Sequence, residues 1–391
     1  MAAPGRAGRA RGDEPVRLSA ALFVGFAVAS IGGPLALVSF LPGAAGDALD
    51  SAGLVVLLGL ALFAFQLGIW LVYSRRVVSP GGLSAFVGAA AGREAALVQG
   101  WIWAFAYFLY LPYTITFVVY DLLPPVFPGI EPYRGALELL LPVGIVAFVF
   151  LPVVAVLAVL GVLAALQIVA MLVLAGVTIH HVGTGVASTP RAHGLAGAAA
   201  ATALLFVCAS LPLYLGAEVS GGSRTVRRGL ALAVAVAGAA LLVAATPFAK
   251  VPDELRDAAV PGVAVAQAYG GRGLAVAVGL LTAGSALALI VAEYLALGRL
   301  LHWLHGPPVR TVFAWIAVPF VAADAISLVN PDRFYDDLLK PSLGALYVSQ
   351  LVVFVVFPRF RRGPLAVAAA AVASALVVYG FYMLVAGGAS T

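Results

Sequence analysis

The chain has 391 residues, 63% of them hydrophobic and only 10% charged, with a formal net charge of +5. A soluble domain of this length does not keep that balance in water, so a soluble enzyme or a nucleic-acid-binding module is excluded and the lipid bilayer is the partner implied. The one cysteine, Cys208, rules out an intramolecular disulfide and argues against a cysteine-based metal site.

Residues 1 to 16 form a basic, polar tail. The apolar block behind it is too long for the core of a signal peptide and has no clear cleavage site, so it reads as the first permanent helix. Charge-free blocks separate Arg17 from Asp47, Asp50 from Arg75, Glu94 from Asp121 and Glu138 from His180, and another runs from Gly363 to the end. About 18 such residues suffice for a spanning helix. Spans are therefore predicted at residues 17 to 41, 52 to 74, 95 to 120, 137 to 156, 159 to 180, 196 to 219, 228 to 248, 273 to 299, 310 to 329, 338 to 357 and 364 to 386. The run from Leu139 to Ile179 has 41 residues, about twice the bilayer thickness, and must hold two helices that turn near Pro152 to Val156.

With the N-terminus in the cytoplasm, inner segments hold 15 of the 22 lysines and arginines, among them Arg75, Arg76, Arg224, Arg227, Arg228, Arg359, Arg361 and Arg362. Acids divide the opposite way, with Asp47, Asp50, Asp121, Asp253, Asp257, Asp332 and Asp337 outside. The positive-inside rule counts only the cations, and it sets the N-terminus inside and, with eleven spans, the C-terminus outside.

Shifting the first five spans by about 180 residues lays them on spans six to ten, and FAVASIGGPL at 26 to 35 echoes FVCASLPLYLG at 206 to 216. Because each unit has an odd number of spans, the second must enter the membrane from the opposite side. The expected organisation is an N-terminal tail (1–16), a first five-helix repeat (17–180), a second inverted repeat (196–357) and an eleventh helix (364–386). Both leading helices carry breakers: Gly32, Gly33 and Pro34 in the first, Pro212 and Gly216 in the sixth. Glycine weakens a helix and proline removes a donor, so unwinding is predicted at these positions.

Particular segments carry a family resemblance. SPGGLSAFVGAAAGREAALVQGWIWAFAYFLY, opening at residue 79, is similar to the stretch that links the second and third helices of the amino acid, polyamine and organocation (APC) superfamily of permeases. PLYLGAEVSGGSRTVRRGLAL at 212 to 232 resembles that family's sixth helix and its basic exit. VLAVLGVLAALQIVAML in the fifth span and LALGRLLHWLHGPP leaving the eighth fit the same plan. The resemblance covers nearly the whole chain and implies an all-α, LeuT-like fold of five plus five inverted helices, with one extra C-terminal helix in place of the family's usual two. It also implies a secondary transporter for an amino acid or related amine. Departures are SIGGPLAL in the first helix, SGGSRTVRRG where the family often has an acidic-x-x-x-proline pattern, and Val162 or Leu163 where some members carry a lysine.

On that resemblance, the backbone of Ile31, Gly32 and Gly33 presents amides to an anionic substrate group. Carbonyls near Tyr214, Leu215 and Gly216 face an ammonium, with Tyr214 as an aromatic wall and Tyr107 and Tyr110 as further lining. Glu218 and Glu293 are the two carboxylates left inside spans. Since an acid at the bilayer centre costs at least about 2.5 kcal/mol, each is expected to be paired, protonated or functional, and both are proton-coupling candidates. For Glu293 the competing expectation is an ion pair with Arg299. Thr282 and Ser285 lie one turn apart on the eighth helix and are the weaker, sodium-binding candidates, because hydroxyls in membrane helices commonly bond their own backbone. Glu138 and Asp324 are expected at the outer interface with no special role. His180, His181 and His193 lack metal-ligand spacing, so no metal and no cofactor is expected.

Two other functional classes compete. DRFYDD at 332 to 337 bears a faint likeness to the aspartate-rich segments of membrane prenyltransferases, but it falls on the outer side, and no HExxH, GxSxG or Walker segment is present. A non-transporting receptor is the other alternative. Composition leaves the oligomeric state and the identity of the substrate open.

Overall fold

A computed structural model describes residues 17–185 and 192–387. The N-terminal tail with Arg6, Arg9 and Arg11, and the side chains of Asp47 and His193, lie outside the described set. Eleven described helices are long and apolar enough to cross a membrane. They are helix 1 (Ala20–Ala45), 2 (Ala48–Tyr73), 3 (Arg93–Leu122), 4 (Glu131–Val149), 5 (Val153–Val182), 6 (Gly194–Glu218), 7 (Gly222–Lys250), 8 (Pro261–His305), 9 (Val309–Ser327), 10 (Pro331–Phe360) and 11 (Pro364–Ala386).

Each coincides with a predicted span, and the shifts have local causes. Helix 4 stops at Val149 and helix 5 starts at Val153. Pro152 disfavours helical geometry at Leu151, so the turn falls at the front of the expected stretch. Helix 8 begins twelve residues before the predicted start, at Pro261, with Gly271 (φ 75°, ψ −178°) separating two helical pieces. Such a φ suits only glycine, which is why one apolar pattern yields two rods. A short helix, Gly82–Ala91, lies between helices 2 and 3.

Helices 1, 2, 6 and 7 pack together, and helices 3, 4, 8 and 9 form a second group. Helix 5 lies against helices 1 and 8, and helix 10 against helices 3 and 11. Exchanging every helix with the one five places later turns the 1–7 contact into 6–2 and the 5–8 contact into 10–3. Both pairs are present. The architecture is thus all-α, a five-plus-five inverted repeat with helix 11 outside the exchange.

Within hydrocarbon there is little hydrophobic drive between helices, so close approach through small residues supplies the attraction. Helices 1 and 5 meet at Gly25 and Gly161, where a Cβ on Gly25 would sit 2.8 Å from the Gly161 Cα. Gly144 on helix 4 has no such neighbour within 4 Å. Gly25→Leu is expected to lower stability by about 1–3 kcal/mol through overpacking, whereas Gly144→Ala should be neutral or gain up to about 1 kcal/mol from helix propensity. Thermal unfolding in detergent checks both; a Gly25→Leu protein as stable as the parent would show that these backbones do not touch.

Candidate functional site: a cavity between two interrupted helices

Helix 1 is broken where its sequence demands it. Its first half ends at Ala29, and the Ser30 amide and hydroxyl both turn back to the Phe26 carbonyl. Gly32 (φ 57°) and Gly33 (φ 71°) then carry the chain through left-handed geometry, and the helix restarts at Pro34. Pro34 needs no amide partner at a helix start, and the amides of Leu35 and Ala36 have no earlier turn to bond. Gly33 also lies so close to Ser285 that a Cβ there would collide with its hydroxyl.

Helix 6 breaks earlier than expected. Its α-helical part ends at Leu204, a turn occupies Leu205 and Phe206, and a 3₁₀ helix runs from Val207 to Glu218 through both Pro212 and Gly216. Pro212 has no N–H for the Cys208 carbonyl, so the α ladder fails along that turn and the tighter winding replaces it. Proline thus marks the altered stretch, while the geometric break sits upstream of it.

The two interruptions face one cavity of about 550 Å³. Gly32 and Phe40 line it from helix 1, Leu204, Leu205, Val207 and Cys208 from helix 6, Tyr110, Tyr113 and Phe117 from helix 3, and Ala286 and Leu289 from helix 8. Helices 10 and 11 close the remaining side with Tyr335, Tyr347, Tyr379 and Met383. An aromatic chain forms its upper rim: Phe40 to Phe117 (5.5 Å), Phe117 to Tyr335 (5.8 Å) and Tyr335 to Tyr113 (5.5 Å). Beyond Phe40 a second hollow of about 1060 Å³ opens among Asp50, Asp253 and Asp257, with Arg256 bonded to Asp50 and Asp253.

At the opposite, arginine-rich end the bundle is closed in layers. Trp103 packs on Tyr107 (4.1 Å) and Tyr214 (4.4 Å), and the Tyr107 hydroxyl donates to Cys208 Sγ at 3.7 Å. Gly82 presses on the Tyr214 ring and Gly81 on Trp303, leaving no space for a Cβ at either, which accounts for the proline-glycine-glycine of that segment. Glu293 lies four residues past the cavity-lining Leu289, one helical turn deeper. It is fully buried, and neither carboxylate oxygen has a hydrogen-bond partner among the described residues. One turn below Leu289, it lies just beneath the cavity floor.

Deeper still, Arg299 grips Glu218 with two bonds, Nε to Oε1 at 2.6 Å and Nη2 to Oε2 at 3.0 Å. The Leu18 amide donates to the Glu218 carbonyl, and the Ser220 amide and hydroxyl both donate to the Leu18 carbonyl. The start of helix 1, the end of helix 6 and helix 8 are thereby latched together.

Of the predicted residues, Gly32 and Tyr110 line the cavity. Ile31 and Gly33 form the break itself, and Tyr107 stands one layer behind Cys208. Tyr214 is not an aromatic wall of the cavity: it is a floor residue packed on Gly82 and Trp103, with Leu215 buried beside it and Gly216 against Val78. Arg299 pairs with Glu218 rather than Glu293, so Glu218 is a latch carboxylate and Glu293 the unpartnered one. Thr282 and Ser285 do not bond their own backbone: Thr282 Oγ1 lies 3.1 Å from Ser39 Oγ, and Ser285 donates to Gln167 Oε1 at 2.6 Å. Glu138 and Asp324 are fully buried between helices; Glu138 Oε1 accepts from Thr116 and Ser327, and the Asp324 oxygens have no partner among the described residues.

Sequence reasoning missed Gln167, Tyr113, Phe117, Cys208 and Tyr335. Gln167 had a readable signal, being the only polar side chain between residues 153 and 177. Tyr335 had none, since it sits inside the acidic DRFYDD segment that turns out to be the first turns of helix 10.

No protein-family model matches the chain, and no curated protein does either. Solved structures do. A point mutant of the manganese transporter of Eremococcus coleocola aligns over 94% of this chain and 87% of its own, with TM-score 0.63 and 12% identity. A Na+-coupled sialic acid symporter in a substrate-bound outward-open state aligns over 94% and 90%, with TM-score 0.60 and 14% identity. MhsT in complex with L-phenylalanine aligns over 92% and 98%, with TM-score 0.60 and 14% identity. The fold is LeuT-like. At these identities the likeness speaks for the backbone arrangement alone.

Removing one partner of a mostly buried pair leaves the other charge uncompensated, so Arg299→Leu should cost about 3 kcal/mol or more. The double change Arg299→Leu with Glu218→Leu should recover most of that loss. Thermal unfolding of both singles and the double measures the coupling; additive losses would show that the pair is not formed.

Proposed function

We propose that the protein is a secondary active transporter of an amino acid or related amine, working by alternating access and related to the APC superfamily of permeases. The carrying observation is the cavity itself: it lies where both interrupted helices meet, leads past Phe40 toward the hollow at the acidic end, and is sealed at the arginine-rich end by the Glu218–Arg299–Leu18 latch. Helix 1 restarts at Pro34 with its amide end toward the cavity, and the α-helical part of helix 6 ends there at Leu204 with its carbonyl end. A positive and a negative helix terminus on one cavity suit a ligand carrying both a carboxylate and an ammonium, or the ammonium alone.

No Asp, Glu, Lys, Arg or His lines the cavity among the described residues, so a multivalent cation finds no ligand set there. Glu293, buried and unpartnered beneath the floor, is the proton-coupling group of this reading. Sodium at Thr282 and Ser285 is less favoured, because those hydroxyls are engaged with Ser39 and Gln167. The arginine-rich end is cytoplasmic by the positive-inside rule, with the N-terminus inside and the C-terminus outside. Residues 17–180 and 196–357 are the two inverted repeats whose relative motion exchanges access, and catalysis on the substrate plays no part.

Counterflow in proteoliposomes tests the reading: labelled amino acid or amine should accumulate against preloaded unlabelled ligand. If Glu293 carries the coupled proton, uptake by the parent falls as external pH rises from acid to neutral, and Glu293→Gln makes it insensitive to pH while exchange persists. Unchanged pH dependence in Glu293→Gln would remove the coupling role. A topology reporter fused at the C-terminus should report the external side; a cytoplasmic signal would reverse the orientation.

A further inference from the structure

The cavity has two unlike halves. One is formed by the chain breaks, where Gly32 and Leu205 line the lumen and the helix termini supply partial charges. The other is walled by helices 10 and 11 with Leu343, Leu346, Tyr347, Tyr379 and Met383, facing Phe117. Helix 11 stands outside the inverted repeat, yet it is drawn tightly onto this wall. A Cβ on Gly380 would approach Leu204 to 2.6 Å and Tyr347 to 2.9 Å, and one on Gly197 would approach the Tyr379 hydroxyl to 2.7 Å. Glycines at these two positions let an additional helix contribute side chains to the lumen, a placement that an ordinary peripheral helix has no need of.

Volume and chemistry point the same way. About 550 Å³ falls in the range of sites that enclose drug-sized ligands, well above what a glycine or alanine fills. The second half offers aromatic faces and aliphatic groups without an ionisable side chain among the described residues, so a charged substrate side chain would lose its hydration there without compensation. An aromatic ring gains from burial and from offset or edge contacts with neighbouring rings. We propose that the pocket walled by helices 10 and 11 is a subsite for a large apolar, aromatic group, so that the ligand is an aromatic amino acid or arylalkylamine whose polar head meets the helix breaks. This rests on the transporter reading of the same cavity and adds to it the class of substrate.

The test uses the purified full chain in nanodiscs and in proteoliposomes, with tryptophan, phenylalanine and phenethylamine against alanine, lysine and glutamate. The aromatic ligands are expected to give half-maximal thermal stabilisation and half-maximal counterflow at concentrations about tenfold or more below alanine, with lysine and glutamate weaker still. Met383→Trp fills the subsite and should erase the aromatic preference, weakening the tryptophan and phenylalanine responses about tenfold more than the alanine response. Val378→Trp, at a helix 11 position outside the cavity lining, adds the same ring away from the lumen and should leave the preference intact. Equal responses to small and aromatic ligands, or a Met383→Trp effect shared equally by alanine and tryptophan, would overturn the subsite while leaving transport standing. Counterflow with none of the six ligands would overturn the transporter reading and the subsite with it.

Discussion

A peptide group without a hydrogen-bond partner costs several kcal/mol in hydrocarbon, so a chain that crosses a bilayer eleven times can interrupt its helices only where protein or a polar lumen meets the exposed amides and carbonyls. Both interruptions of this protein obey that condition. Ser30 to Gly33 are buried or half-buried between Leu37, Leu205 and Ser285, and the break at Leu205 and Phe206 lies against the same lumen. The cavity follows from this constraint: two breaks that must avoid lipid are brought to the centre of the bundle, and the groups they release become the polar part of a pocket whose other surfaces are apolar.

Ionisable side chains are subject to the same economy of polar groups and are handled in different ways. Glu218 and Arg299 satisfy each other bidentately, with Arg299 Nη1 also donating to the Leu295 carbonyl. Glu138 is held by the hydroxyls of Thr116 and Ser327. Glu293 and Asp324 have neither arrangement among the described residues. Burying a carboxyl without a counter-charge is costly, and these two stand without one among the described residues. Of the two, only Glu293 lies one turn from the cavity.

The eleven spans were legible because charge-free runs are a direct consequence of bilayer thickness, and the break in helix 1 because Gly32, Gly33 and Pro34 leave the backbone few alternatives. The inverted repeat was legible from spacing. Tertiary partners were not. Arg299 reaches Glu218 across 81 positions of sequence, and Ser285 reaches Gln167 across 118, separations over which hydropathy carries no information. The burial of Glu138 and Asp324 was not legible either, because each lies near the end of a hydropathic block, where hydropathy does not tell a side chain that faces neighbouring helices from one that faces outward. Tyr214 was misjudged for a related reason, since Pro212 marked the stretch of altered winding and not the site of the break.

Helix 8 runs from the Gly271 kink to His305 without another non-helical residue, and along it come, in order, the lumen at Ala286 and Leu289, the isolated acid Glu293 and the latch arginine Arg299. Three stations on one stiff rod keep fixed separations. Helix 8 thus acts as a ruler, fixing how far the lumen, the isolated acid and the paired arginine stand from one another along the bundle.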